Sequence, residues 1–161
     1  QNTAIGHSAG ANTTTGANQT LVGYNAQPSA ATANNEVTFG NASVATLRAA
    51  VTSITAISDG RDKANVRSLP LGLEFLRALR PVAFEWAARD GSKVGIVDHG
   101  FIAQEVQATA EKFDAKWLGL VLDSNPERLE FTPGKLIPLL VRALHELAER
   151  VESHEKRAKA A

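Results

Sequence analysis

Glycines at positions 6, 23 and 40 recur at a spacing of 17 residues, and this period constrains the first part of the chain more than any other feature. Each glycine closes a short β-prone run: Thr3-Ala4-Ile5-Gly6, Thr20-Leu21-Val22-Gly23 and Val37-Thr38-Phe39-Gly40. Asn, Thr, Ala and Gly fill the intervals, as in Ala11-Asn12-Thr13-Thr14-Thr15-Gly16. One such run buries almost nothing alone. Stacked copies, from this chain or from several, close a continuous narrow core. A low-complexity Asn/Thr/Gly linker is the competing reading. The fixed period, with apolar residues at the same phase, argues against it.

Charge divides the chain as sharply as the repeat does. Glu36 and Arg48 are the only charged residues before position 58, which leaves 16 of the 17 basic and 16 of the 17 acidic residues for 58–161. Residues 43–57 are β-branched and apolar and read as one or two strands. A lone chain would expose this surface, so a partner is expected, most simply further copies of the same chain. The balanced total charge offers no whole-chain field for nucleic acid or an anionic membrane. Without cysteine there is no disulfide framework and no thiolate metal site. No metal or cofactor is expected. No apolar run reaches the roughly 18–20 residues that span a bilayer. The opening Gln1, rather than Met, reads as part of something longer.

From Ser58 onward the patterns are those of a compact charged module. Leu71, Leu73, Phe75, Leu76 and Leu79 make a short apolar-faced helix, with Pro70 near its start and Pro81 stopping it. Val82-Ala83-Phe84-Glu85-Trp86 alternates as a strand, and Asp90-Gly91 turns it into residues 93–97 as a hairpin. A helix is expected from Phe101 through Ile102, Val106 and Ala110. A strand over 118–122 and the turn Asn125-Pro126-Glu127 then lead to Leu129-Glu130-Phe131, a second hairpin. Trp86 and Trp117 read as core. Thr132 is placed to cap a final helix with Pro133 at its first position. On that helix Ile137, Leu140, Leu144, Leu147 and Val151 alternate in steps of three and four, which is a heptad seam.

Four strings in this order and spacing resemble one family. They are Ser58-Asp59-x-Arg61-x-Lys63-x-Asn65-Val66; Leu79-Arg80-Pro81-Val82-Ala83-Phe84-Glu85-Trp86; Gly100-Phe101-Ile102-Ala103-Gln104-Glu105-Val106; and Leu136-Ile137-Pro138-Leu139-Leu140-Val141-Arg142-Ala143-Leu144-His145-Glu146-Leu147. Together they are similar to the C-terminal intramolecular chaperone domain of phage endosialidases, tail spikes and tail fibres. The resemblance covers 58–161, and the repeats of 1–57 look like the stalk that precedes this domain in tail fibres. The expected fold is therefore α+β: an elongated repeat β stalk, intertwined as a homotrimer, followed by a mixed helix/hairpin module ending in a long coiled-coil helix. The resemblance implies a module that trimerises, assists folding of the upstream fibre or spike domains of its own chain, and then releases itself. It places the chain in a virion tail fibre or spike, with the host receptor unnamed.

Carried over by position, Ser58 matches the nucleophile, Lys63 the base, and Ile57–Ser58 the scissile bond. Asp62 departs from the family, where an apolar residue is common; a carboxylate there favours the protonated form of Lys63. A serine hydroxyl needs a base, and Ser–Lys pairs supply one. The lysine must be neutral to act, so its reference pKa of about 10.4 has to fall by burial, which a closing trimer interface can provide. Gly60 is expected to permit the turn. Asp59 reads as a turn former and Arg61 as a solvated charge or an inter-chain donor. Four readings compete: this self-cleaving chaperone, a permanent trimerisation tip that never cleaves, a self-processing membrane-anchored transcription factor, and a protease acting on other chains. The stalk and the missing span argue against the third, and the lack of any evident substrate pocket against the fourth.

Overall fold

The computed structural model of the chain describes residues 1–51 and 53–160. Its first 40 residues form three stacked rungs. Strands β1 (Thr3–Ile5), β2 (Thr20–Val22) and β3 (Val37–Phe39) pair in parallel, with Thr3 opposite Thr20 and Thr20 opposite Val37, the 17-residue period of the sequence. This stacking runs within one chain. Backbone bonds join rung to rung along the return path as well, among them Thr14 N to Ala31 O at 2.8 Å and Gly40 N to Val22 O at 2.8 Å.

Polar residues in the rungs bond to their counterparts one period on. The Asn18 side-chain amide donates to Asn35 Oδ1 at 2.8 Å, and Ala17 N donates to Asn34 Oδ1 at 2.7 Å. Leu21 is only 1% exposed and fills the inside with Ala26. Gln19 is buried with them because its amide is satisfied: Thr13 Oγ1 donates to Oε1 at 2.9 Å and Nε2 donates to Ala33 O at 2.7 Å. Ile5, Val37 and Phe39 point out and are exposed. Gly6 and Gly23 have φ of +128° and +125°, and a Cβ on Gly6 would lie 2.4 Å from Gly23 O. Only glycine combines that φ with that approach.

The rungs group with two hairpins, residues 81–104 and 121–131, in one compact unit. Strands β4 (Val82–Ala87) and β5 (Val94–Gly100) are antiparallel, with a register shift between Glu85 and Ala87. Trp86 Nε1 donates to Asp98 Oδ2 at 3.1 Å, and the ring stacks edge-on with Phe84. Strands β6 (Val121–Leu122) and β7 (Glu130–Phe131) make the second, shorter hairpin, and Phe101 packs on Phe131.

The second unit comprises the described residues of 48–80, 105–120 and 132–161. Helix α1 (Leu73–Ala78) packs on helix α3 (Ile137–Ala160), burying Phe75 and Leu79 against Leu136, Leu139 and Ala143. Gly72 supplies no capping side chain to α1. The Glu146 carboxylate of α3 does so instead, accepting from Leu73 N at 2.8 Å and facing Arg142 Nε at 3.0 Å. Helix α2 (Ala103–Lys112) buries Val106 and Ala110, and Phe113 meets Phe75 edge to face. One face of α3 is thus used within the chain. Ile137, Leu140, Leu144, Leu147 and Val151, the heptad positions, lie exposed on the other, with Leu144 at 63%.

Several expectations are corrected. The described residues of 43–57 form no strand and stay exposed; Thr52 lies outside the described residues. Trp117 is 59% exposed in a short 3₁₀ turn (Lys116–Leu118), so it is not core, and strand β6 begins only after that turn. Ile102 precedes α2 rather than entering it. Thr132 stands at the N-cap of the 3₁₀ turn Pro133–Leu136 without a side-chain capping bond.

Two substitutions test this packing. Leu139→Ala, at a site 0% exposed, is expected to cost about 2–5 kcal/mol in urea unfolding. Gly6→Ala forces a strained φ and a backbone clash and is expected to cost about 1–3 kcal/mol, read as an earlier unfolding step of the rung segment.

Candidate functional site

Ser58 lies where the uncharged half meets the charged half. An extended residue, Asp59 (φ −68°, ψ 134°), leads from it into a single 3₁₀ turn, Gly60–Asp62, and a second extended residue, Lys63 (φ −121°, ψ 132°), leads out. Two extended residues flanking one tight turn make a reversal. That brings side chains five positions apart to the same side. Lys63 Nζ donates to Ser58 Oγ at 2.5 Å and to Ser58 O at 3.1 Å. The two predicted site residues are therefore in direct contact.

Both are exposed, as is Ile57 at 96%. A general base must accept the serine proton, and the contact brings together the two atoms that such a transfer needs. Among the described residues Asp62 forms no ion pair with Lys63; its backbone N–H closes the turn on Asp59 O at 3.2 Å.

Asp59 does more than start a turn. Its Oδ1 accepts from Arg61 N at 2.8 Å, and the Arg61 guanidinium reaches back to both carboxylate oxygens, Nη2 to Oδ2 at 2.6 Å. The Arg61 side chain, then the Arg61 amide, holds the Asp59 carboxyl below its ordinary range. Gly60 corrects an expectation: its φ lies outside the left-handed region and a Cβ there meets nothing within 4 Å. Nothing in this turn requires glycine.

Away from the dyad, Arg80 and Glu105 join two of the family-like strings, with Arg80 Nε donating to Glu105 Oε2 at 3.0 Å. The pair holds the Glu105 carboxyl low and the Arg80 guanidinium high, the Arg80–Glu105 hydrogen bond being the main cause of both. His99 is exposed beside Asp98. His7 stacks on Tyr24. Among the described residues there is no cluster of side chains that could hold a metal ion, and no helix is long and apolar enough to cross a membrane.

Residues 58–115 match the peptidase-family model described as chaperone of endosialidase. The matched segment begins at Ser58, the residue at which the charge boundary falls. It takes in the dyad, the Leu79–Trp86 string and the Gly100–Val106 string, while the string at 136–147 lies beyond it. The match covers 58 of the 161 residues, and over that segment the chain is similar to the family. No curated protein and no solved structure matches the chain.

Because Gly60 has open space and an ordinary φ, Gly60→Ala is expected to leave the Ser58–Lys63 contact and the stability of the chain essentially unchanged. Thermal unfolding of the variant within about 0.5 kcal/mol of the parent checks this.

Proposed function

We propose that residues 58–161 form a trimerising chaperone which assists the assembly of a β-structured stalk, residues 1–57, in a phage tail fibre or spike and then cuts itself free between Ile57 and Ser58. The single observation that carries this reading is the Ser58 Oγ–Lys63 Nζ contact of 2.5 Å at the first residue of the family match. In the reaction Ser58 Oγ attacks the Ile57 carbonyl carbon while neutral Lys63 takes the hydroxyl proton. The tetrahedral intermediate collapses as the Ile57–Ser58 C–N bond breaks, and the proton passes from Lys63 to the departing Ser58 nitrogen. Ile57 is then held as an ester on Ser58 Oγ, which water hydrolyses to an Ile57 carboxylate and a free Ser58 hydroxyl. Nucleophile and carbonyl belong to adjoining residues, so proximity supplies up to roughly 7–11 kcal/mol of the barrier in the best intramolecular cases.

Assembly supplies what the single chain lacks. Lys63 is exposed in the single chain, and burial at an interface favours the neutral form of a lysine. Two uncovered apolar surfaces suit a three-fold contact between copies: the exposed Val44, Leu47, Val51, Ile54 and Ile57 ahead of the dyad, and the heptad face of α3. Neither carries more than an isolated charge, and a heptad face is closed most simply by the same face of another copy. Clustering at one surface raises the effective concentration at the other.

Intact mass of the full chain after assembly tests the reading. A fragment beginning at Ser58 is expected, absent in Ser58→Ala and in Lys63→Ala. Leu144→Ala with Leu147→Ala is expected to lower trimer content and cleavage together. A fully trimeric wild-type chain that stays intact contradicts the protease claim and identifies the module as a permanent tip; cleavage in a demonstrably monomeric variant contradicts the role given to burial.

A further inference from the structure

The Ser58–Lys63 contact stands in open solvent, on a turn that buries none of its own residues. Hydrophobic packing therefore cannot be what aligns the two side chains. The neighbouring pair offers a different device. The Asp59 carboxylate takes the Arg61 amide at 2.8 Å, which satisfies one of the free N–H groups at the start of the turn. It also takes three guanidinium contacts from the same residue: Nε to Oδ1 at 3.0 Å, Nε to Oδ2 at 3.2 Å, and Nη2 to Oδ2 at 2.6 Å.

We propose that Asp59 and Arg61 are positioning residues for the dyad, a clamp across the turn that holds Lys63 over Ser58. The clamp spans the residues between nucleophile and base, so its backbone bond fixes the curvature of the reversal. Its side-chain bonds keep the Arg61 cation on Asp59 and away from the Ser58 carbonyl, leaving Lys63 as the only cation at Ser58 Oγ and O among the described residues. The Asp59 carboxyl, held below its ordinary range mainly by the Arg61 side chain, remains an acceptor throughout neutral pH. An exposed ion pair adds little to global stability. Its effect is local: it narrows the conformations of the turn to those in which base and nucleophile touch.

This inference rests on the self-cleavage reading, and its test separates the two. The first readout is the cleavage rate constant of the assembled full chain. The second is the nuclear Overhauser contact between Lys63 Hε and Ser58 Hβ, measured on the full chain carrying Leu144→Ala and Leu147→Ala to keep it intact. Asp59→Ala is expected to remove the contact and slow cleavage about tenfold or more with trimer content unchanged, since small misplacement of reacting groups is costly. Asp59→Asn, which keeps an acceptor for the Arg61 amide, is expected to restore the contact and return the rate to within about threefold of wild type. A wild-type rate and an undiminished contact in Asp59→Ala overturn the clamp, as does a parent chain lacking the contact. If no chain cleaves, the self-cleavage reading fails and the contact alone decides: its loss in Asp59→Ala supports the clamp, its retention overturns it.

Discussion

Lys63 Nζ and Ser58 Oγ lie 2.5 Å apart on an exposed turn, and the proposed chemistry depends on what surrounds that contact. The atoms lie within contact distance in one chain, so what separates this state from a reactive one is the surroundings of the lysine. Burial penalises the charged form of a lysine and so favours transfer of the serine proton across the 2.5 Å contact. The fold provides the geometry alone; closure has to come from elsewhere.

The surfaces that remain open show where closure can come from. Helix α3 spends Leu139 and Ala143 on α1 and leaves its heptad positions in solvent. The apolar run ahead of Ser58 finds no strand partner in a single chain. The rungs of 1–40 join through three parallel strands and rung-to-rung amide bonds and leave Ile5, Val37 and Phe39 exposed. The other two open apolar stretches flank the candidate bond in sequence. This arrangement suits a device whose chemistry waits for assembly.

Much of this was legible from residues alone because it is periodic or local. The 17-residue spacing of Gly6, Gly23 and Gly40 became the register of β1–β3, and the 3–4 spacing on α3 became its open face. Ser58 and Lys63 met because one turn suffices to join them. What escaped was tertiary. Glu146 caps α1 from 73 residues away, a contact no local pattern announces. Trp117 looked like core by its size but stands in a short turn with nothing over it. The strands expected in the described residues of 43–57 did not form, and those residues stay exposed. Gly60 seemed necessary because glycine is common in turns, whereas here the Asp59–Arg61 bonds set the reversal. Asp59 and Arg61 could have been singled out earlier by their i, i+2 spacing across a turn, the pattern of an Asx cap with a charged return.

The most direct measurement of the central claim is the rate of appearance of the fragment beginning at Ser58 as a function of total chain concentration, followed alongside the mass of the assembled species. The account predicts that the rate climbs steeply through the range in which trimer forms and then becomes independent of concentration once assembly is complete. A rate constant that is the same in dilute monomer as in saturated trimer contradicts it.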